Sequence, residues 1–163
     1  EKIKTIYQFN YFNILDFVPT ELDKTPFNLL VSKFSDLFDK IKPEVIYIPN
    51  INDVHTDHQI VSKAVMSSSK WFRSKSIKQI NMYETLSETN FNFSENNDFN
   101  PSIFIEITRQ LEKKLEICRC YKTEFQKHPF PRSEEAIRSL AKLRGSQSGF
   151  EAAEAFKLIF EKK

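Results

Sequence analysis

Only two glycines, Gly145 and Gly149, occur in this 163-residue chain, and their scarcity constrains the fold more than any other feature. Glycine takes positive φ without steric cost, so a chain almost free of it is expected to turn on Asn and Pro. Its length should go into long helices and strands. Phenylalanine, with 16 copies, supplies unusual apolar bulk for a core. The length is that of a single domain, residues 1–163, able to bury one substantial core.

Residues 3–12 (IKTIYQFNYF) are rich in β-branched and aromatic types and read as a strand followed by a loop. Thr25-Pro26 is a helix-opening pair, followed by Leu29, Leu30, Phe34, Leu37, Phe38 and Ile41 at helical spacing, with Pro43 as the stop. Val45 to Ile48 is a continuous apolar run, as expected of a buried parallel strand. The loop from Asn50 to His55 leads into a helix carrying Ile60, Val61, Ala64 and Val65. Residues 77–86 read as a strand, 87–100 as a polar loop and 103–107 as another strand. Thr108 and Ser133 are placed to cap helices, the second running through Leu143 to a stop at Gly145, and Glu151 to Phe160 reads as a final helix. Strands alternating with helices define an α/β class: a Rossmann-like, mostly parallel sheet flanked by helices.

The 24 basic and 22 acidic residues are interspersed and leave a net charge of +2, with no basic arm of the kind that binds nucleic acid. No apolar run approaches a membrane span, so no membrane partner is expected. Cys118 and Cys120 are two apart in a helical pattern and point away from one another. They read as free thiols in a reducing compartment, the cytoplasm. The chain opens on Glu1 rather than Met and is expected to begin partway through a longer parent.

The chemistry is concentrated in Asp53-Val54-His55-Thr56-Asp57-His58-Gln59, between a strand and the following helix. In an open α/β sheet that is the carboxyl-end crevice where ligands bind. Thr56 to Gln59 matches a capping box, which would make Thr56 the N-cap and put His58 in the first turn. A helix N-terminus disfavours imidazolium, and neutral imidazole is the form that donates a lone pair to zinc. His55 could be oriented by the Asp57 carboxylate. By spacing alone, H-x-D-H is a weak motif, and a solvated helix cap is the favoured reading of it.

The string IKPEVIYIPNINDVHTDHQIVSKAV resembles the second signature of the LmbE/PIG-L family of zinc-dependent N-deacetylases, in which a strand enters an H-P-D-H-type loop and a helix. INMYETLSETNF is similar to that family's strand before its substrate loop, and FIEITRQLEKKLEICRCYKTEF to the strand and helix that follow. HPFPRSEEAIRSLAKLRGSQSGFEAAEAF resembles its C-terminal signature. The resemblance implies that His58 is a zinc ligand. It makes His55 the general acid or oxyanion stabiliser, with Asp57 as its carboxylate partner. Asp53, His128 and Arg132 become candidate contacts to substrate, and Tyr83 or Glu84 could also reach it.

The implied substrate is an N-acetylated sugar or small glycoconjugate, the implied cofactor zinc, and a homo-oligomer is possible. Thr56 replaces the family's usual proline. The first family motif, H-P-D-D-E, which would bring two further ligands and the general base, is absent from the sequence, and with it the first strand of the sheet. The chain is therefore expected to be the C-terminal portion of such a domain, with a partial metal site and little activity of its own. The alternative is a non-catalytic fragment or assembly module that keeps the fold without a complete site.

Overall fold

The computed structural model describes residues 2–94 and 99–163; residues 95–98 of the expected polar loop lie outside this description. The helices are α1 (Lys2–Tyr7), α2 (Phe27–Ile41), α3 (Thr56–Ser68), α4 (Leu111–Cys118) and α5 (Glu134–Ser148). The strands are β1 (Val45–Pro49), β2 (Gln79–Tyr83), β3 (Ile103–Glu106) and β4 (Ala153–Glu161), forming one sheet in the order β1-β2-β4-β3. The α/β class expected from the sequence is present, with a four-stranded sheet and flanking helices. The sheet is mixed: β1 and β2 run parallel, with Val45 opposite Gln79, whereas β4 runs antiparallel to β2.

The chain divides into two compact units. The larger comprises residues 17–103 and 155–163. In it α2 packs on α3, and α3 on β1. Phe38, Ile48, Val65, Ile77, Ile80 and Met82 form its core, and Leu22, Leu30 and Ala64 a second cluster. Burying each large apolar side chain contributes about 1.5–3 kcal/mol, which outweighs the poor capping of α2, whose N-cap Pro26 offers no side-chain acceptor. Pro43 follows the left-handed C-cap Lys42, as its position predicts. The buried Ser62 hydroxyl donates to the Pro49 carbonyl at 2.5 Å, pinning α3 to the carboxyl end of β1.

The smaller unit comprises residues 1–16 and 104–154. Leu111, Leu115, Ile117, Ile137 and Ala141 are buried there as α4 packs against α5. Ser133 caps α5 as expected, accepting the Ala136 N–H. The helix does not stop at Gly145 but runs to Ser148, with Gly149 as its left-handed C-cap. Gly145 is required for another reason: a Cβ there would lie 2.6 Å from the Phe150 carbonyl oxygen.

Other expectations are corrected. Residues 2–7 are helical, not a strand, and residues 153–161 are a strand, not a helix. Thr108 caps nothing, since α4 starts at Leu111 after Gln110. β1 is buried only at Ile48 and Pro49; Val45 and Tyr47 are exposed, because the strand is at the sheet edge. Leu29 and Ile41 of α2 are likewise exposed. Positive φ is not confined to glycine: Gln8, Thr20, Lys42 and Ser87 all adopt it.

Candidate functional site

The loop after β1 and the first turn of α3 bring Asp53, His55, Asp57 and His58 together in the larger unit. His55, not Thr56, is the N-cap of α3. Its Nδ1 accepts the backbone N–H of Asp57 at 3.2 Å. The expected capping box does not form, because the Gln59 amide donates at 2.7 Å to the backbone carbonyl of Asp53 instead.

Asp53 is the centre of the site. It is fully buried, and a buried carboxylate is tolerated only when its oxygens are satisfied. Oδ2 faces His58 Nδ1 at 2.7 Å, and Oδ1 accepts the Thr89 hydroxyl at 2.6 Å. With the carboxylate accepting, a neutral His58 ring would carry its proton on Nδ1 and leave its Nε2 lone pair to donate. That is the arrangement in which a carboxylate fixes the tautomer of a metal-binding imidazole. His55 has the opposite tautomer: Nδ1 is an acceptor, so the neutral ring carries its proton on Nε2. The two rings stack with centroids 4.9 Å apart and planes 13° from parallel. One site thus presents an imidazole lone pair and, beside it, an imidazole N–H donor.

Asp57 differs from expectation. Its carboxylate does not hold the His55 ring; it accepts the backbone N–H groups of Thr20 at 2.7 Å and Leu22 at 3.2 Å. Only its own backbone N–H meets His55. Thr20 sits at φ 65°, a left-handed conformation that costs a β-branched residue about 1–2 kcal/mol, and the Asp57 carboxylate helps hold the segment there.

Three hydrogen bonds join residues 85–92 to this loop: Thr89 to Asp53, the Asn92 amide to the Asn52 carbonyl at 2.5 Å, and the Val54 N–H to the Glu88 carbonyl at 3.4 Å. Exposed Phe91 and Phe93 extend from that segment with ring centroids 6.1 Å apart. Tyr83, at the end of β2, keeps its proton to higher pH than an ordinary tyrosine, first because burial disfavours the phenolate and then because Asp53 is negative. The sequence drew no attention to Thr89 or to Asn50, which is buried at the carboxyl end of β1 with an amide nitrogen that meets no acceptor. Thr89 meets Asp53 across 36 positions, and no local spacing marks either residue.

His128 and Arg132 lie in the smaller unit. His128 is exposed in a turn and precedes a cis proline. Arg132 pairs with Glu124 at 2.5 Å and stacks over the Phe130 ring.

Among the described residues no group of three or more His, Cys, Asp or Glu is placed to hold a metal ion. A catalytic zinc needs three protein ligands, so these residues fit one coordination position, at His58 Nε2, and not a whole centre. No described helix is long and apolar enough to cross a membrane.

No family model matches the chain, and no curated protein is significantly similar in sequence. Solved structures do share its α/β fold. An N,N'-diacetylchitobiose deacetylase from Pyrococcus horikoshii superposes with a TM-score of 0.74 at 17% identity, over 97% of this chain and 60% of that one. A conserved protein from Thermus thermophilus gives 0.77 at 18% identity, over 99% of this chain and 71% of that one. The chain therefore spans less than two thirds of the length of the deacetylase that it resembles.

Proposed function

We propose that this chain is the C-terminal portion of a zinc-dependent N-deacetylase that removes the acetyl group from an amino sugar or small glycoconjugate. The observation that carries the reading is the different partners of the two Nδ1 atoms at the carboxyl end of β1, a backbone N–H at His55 and the Asp53 carboxylate at His58, on a fold shared with a diacetylchitobiose deacetylase. His58 Nε2 would be one zinc ligand, held by Asp53. The remaining ligands would come from an H-P-D-D-E segment that the sequence does not contain. β1 lies at the edge of the sheet, so a further strand beside it would bring such residues to the same end.

Bound zinc would polarise the acetamide carbonyl and make water nucleophilic near neutral pH. The chain's own contribution is His55. Addition of water to the carbonyl carbon places negative charge on the former carbonyl oxygen, where the His55 Nε2–H can donate. Breaking the C–N bond then requires a proton on the leaving nitrogen. A neutral His55 ring cannot give one without becoming imidazolate, so that proton would be the one taken from the attacking water by the general base of the missing segment. Acetate and the free amine result. The exposed Phe91 and Phe93 rings offer apolar surfaces of the kind that line small-molecule sites. A sugar carries such apolar faces between its hydroxyls.

A test measures zinc content and acetate release from diacetylchitobiose on the same preparations of the full-length protein. His58→Ala is expected to lose metal and activity together. His55→Ala is expected to keep its zinc and lose turnover by roughly 10²–10⁴-fold. Full metal and full activity in both variants would reduce the motif to a helix cap and favour the non-catalytic reading.

A further inference from the structure

We propose that Thr89 is a positioning residue for His58, acting through Asp53. This rests on the reading of His58 as a donor to zinc, though its geometry stands independently. Thr89 is buried, and its hydroxyl is used in both directions: it accepts the Thr85 backbone N–H at 2.8 Å and donates to Asp53 Oδ1 at 2.6 Å. Because the N–H of Thr85 occupies the oxygen's acceptor side, the hydroxyl proton is directed to Asp53. Asp53 can then turn only by breaking that bond or the one from Oδ2 to His58 Nδ1.

The direction of each hydrogen bond is thereby set along a chain of four groups. Backbone N–H fixes hydroxyl, hydroxyl fixes carboxylate, carboxylate fixes imidazole, and the imidazole is left with one free lone pair. Removing the hydroxyl leaves Asp53 Oδ1 without a donor in a fully buried position. The carboxylate can then rotate to seek another partner, and its hold on one His58 tautomer weakens. A residue serving only to shape the turn over Thr89–Phe91 would have no such effect on a ring 31 positions away in sequence.

The test reads the histidine rings themselves, by ring 15N–1H correlations on metal-free, full-length protein at alkaline pH. In the wild type His58 is expected to be the Nδ1–H tautomer, with that proton exchanging slowly. Thr89→Val keeps the shape and removes the hydroxyl; it is expected to give mixed tautomers at His58 and about tenfold weaker zinc binding, the lower end of the effect of losing a ligand's supporting hydrogen bond. Thr89→Ser is expected to restore both. Unchanged tautomer, exchange and zinc affinity in Thr89→Val would overturn the proposal. So would a wild-type His58 protonated on Nε2, or an Nδ1 proton exchanging as fast as the ring protons of exposed His128, even if Thr89→Val failed to fold. A locked His58 in a protein that releases no acetate would sink the deacetylase reading and leave this one standing.

Discussion

Each compact unit contains a network built around charged side chains, and the two differ in where they sit. In the larger unit Asp53 is inaccessible to solvent and satisfied by one imidazole and one hydroxyl. In the smaller unit Arg138 forms a fork on Glu112 at 2.5 and 2.9 Å and also reaches Glu134 at 2.7 Å, while Arg119 pairs with Glu134 at 2.5 Å. The second network has more charges and more contacts, but it is solvent-facing, with Glu112 70% exposed. Water and salt can replace most of what its members give one another. Nothing can replace the partners of Asp53. The contrast teaches that the count of ion pairs is a poor guide to which network shapes the protein; burial decides.

The largest expected effect is at Asp53. Asp53→Ala leaves the Thr89 hydroxyl and His58 Nδ1 without their buried acceptor, and each such loss costs about 1–3 kcal/mol. A fall in the urea midpoint of that size, with loss of zinc from the full-length protein, is the expected result. A variant as stable as wild type would erase the distinction between the networks.

Asp57→Asn comes next. The amide oxygen can still accept one of the two backbone N–H groups at Thr20 and Leu22, so the expected destabilisation is smaller, about 1 kcal/mol. Turnover per folded molecule should change little, because the His55 contact is made by the Asp57 backbone, which the substitution keeps. Unchanged stability with a large fall in turnover would return Asp57 to the role of carboxylate partner to His55.

Arg138→Ala should have the smallest effect, a shift in midpoint below that of either other variant and absent in about 1 M salt, where screening acts over ~3 Å. The pH dependence has a defined sign. Hydrogen bonds from Arg138 hold the Glu112 carboxyl below the usual range, and those from Arg119 and Arg138 do so for Glu134. Depressed carboxylates contribute stability that is present above their unfolded pKa and lost as pH falls through the folded value. Arg138→Ala should therefore lower stability modestly at neutral pH and leave it unchanged at acid pH, which flattens the acid limb of a stability–pH curve. Equal loss at neutral pH in high salt would mean that Arg138 acts through packing of its stem instead.

Some of this was legible without coordinates. Strand β1, its loop and α3 followed from an apolar run, a polar loop and helical spacing, and that placed His55 and His58 at the carboxyl end of a strand. Ser133 announced α5, and Pro43 the end of α2. These signals are local: each depends on residues within one or two turns of one another.

What failed was also local in appearance. Glu151 to Phe160 reads as a helix, but from Ala153 the segment satisfies its backbone by pairing with β2, where Phe156 faces Tyr83. The β-branched start of the chain looked extended and is helical through Tyr7. Helix and strand propensities differ by tenths of a kcal/mol per residue, and tertiary pairing overrides them.

Seven adjacent residues carry two histidines and two aspartates, so their meeting at a strand–helix junction in an α/β fold follows from local sequence. What each of them touches there depends on residues far along the chain. Asp53 reaches Thr89 across 36 positions, and Asp57 reaches Thr20 across 37. Folding the chain brings those groups within hydrogen-bond distance; desolvation forces the buried Asp53 oxygens to take partners, whereas the bond from Thr20 to Asp57 is made in an exposed position. In this way it assigns Asp53 to orient His58 and Asp57 to anchor a strained turn.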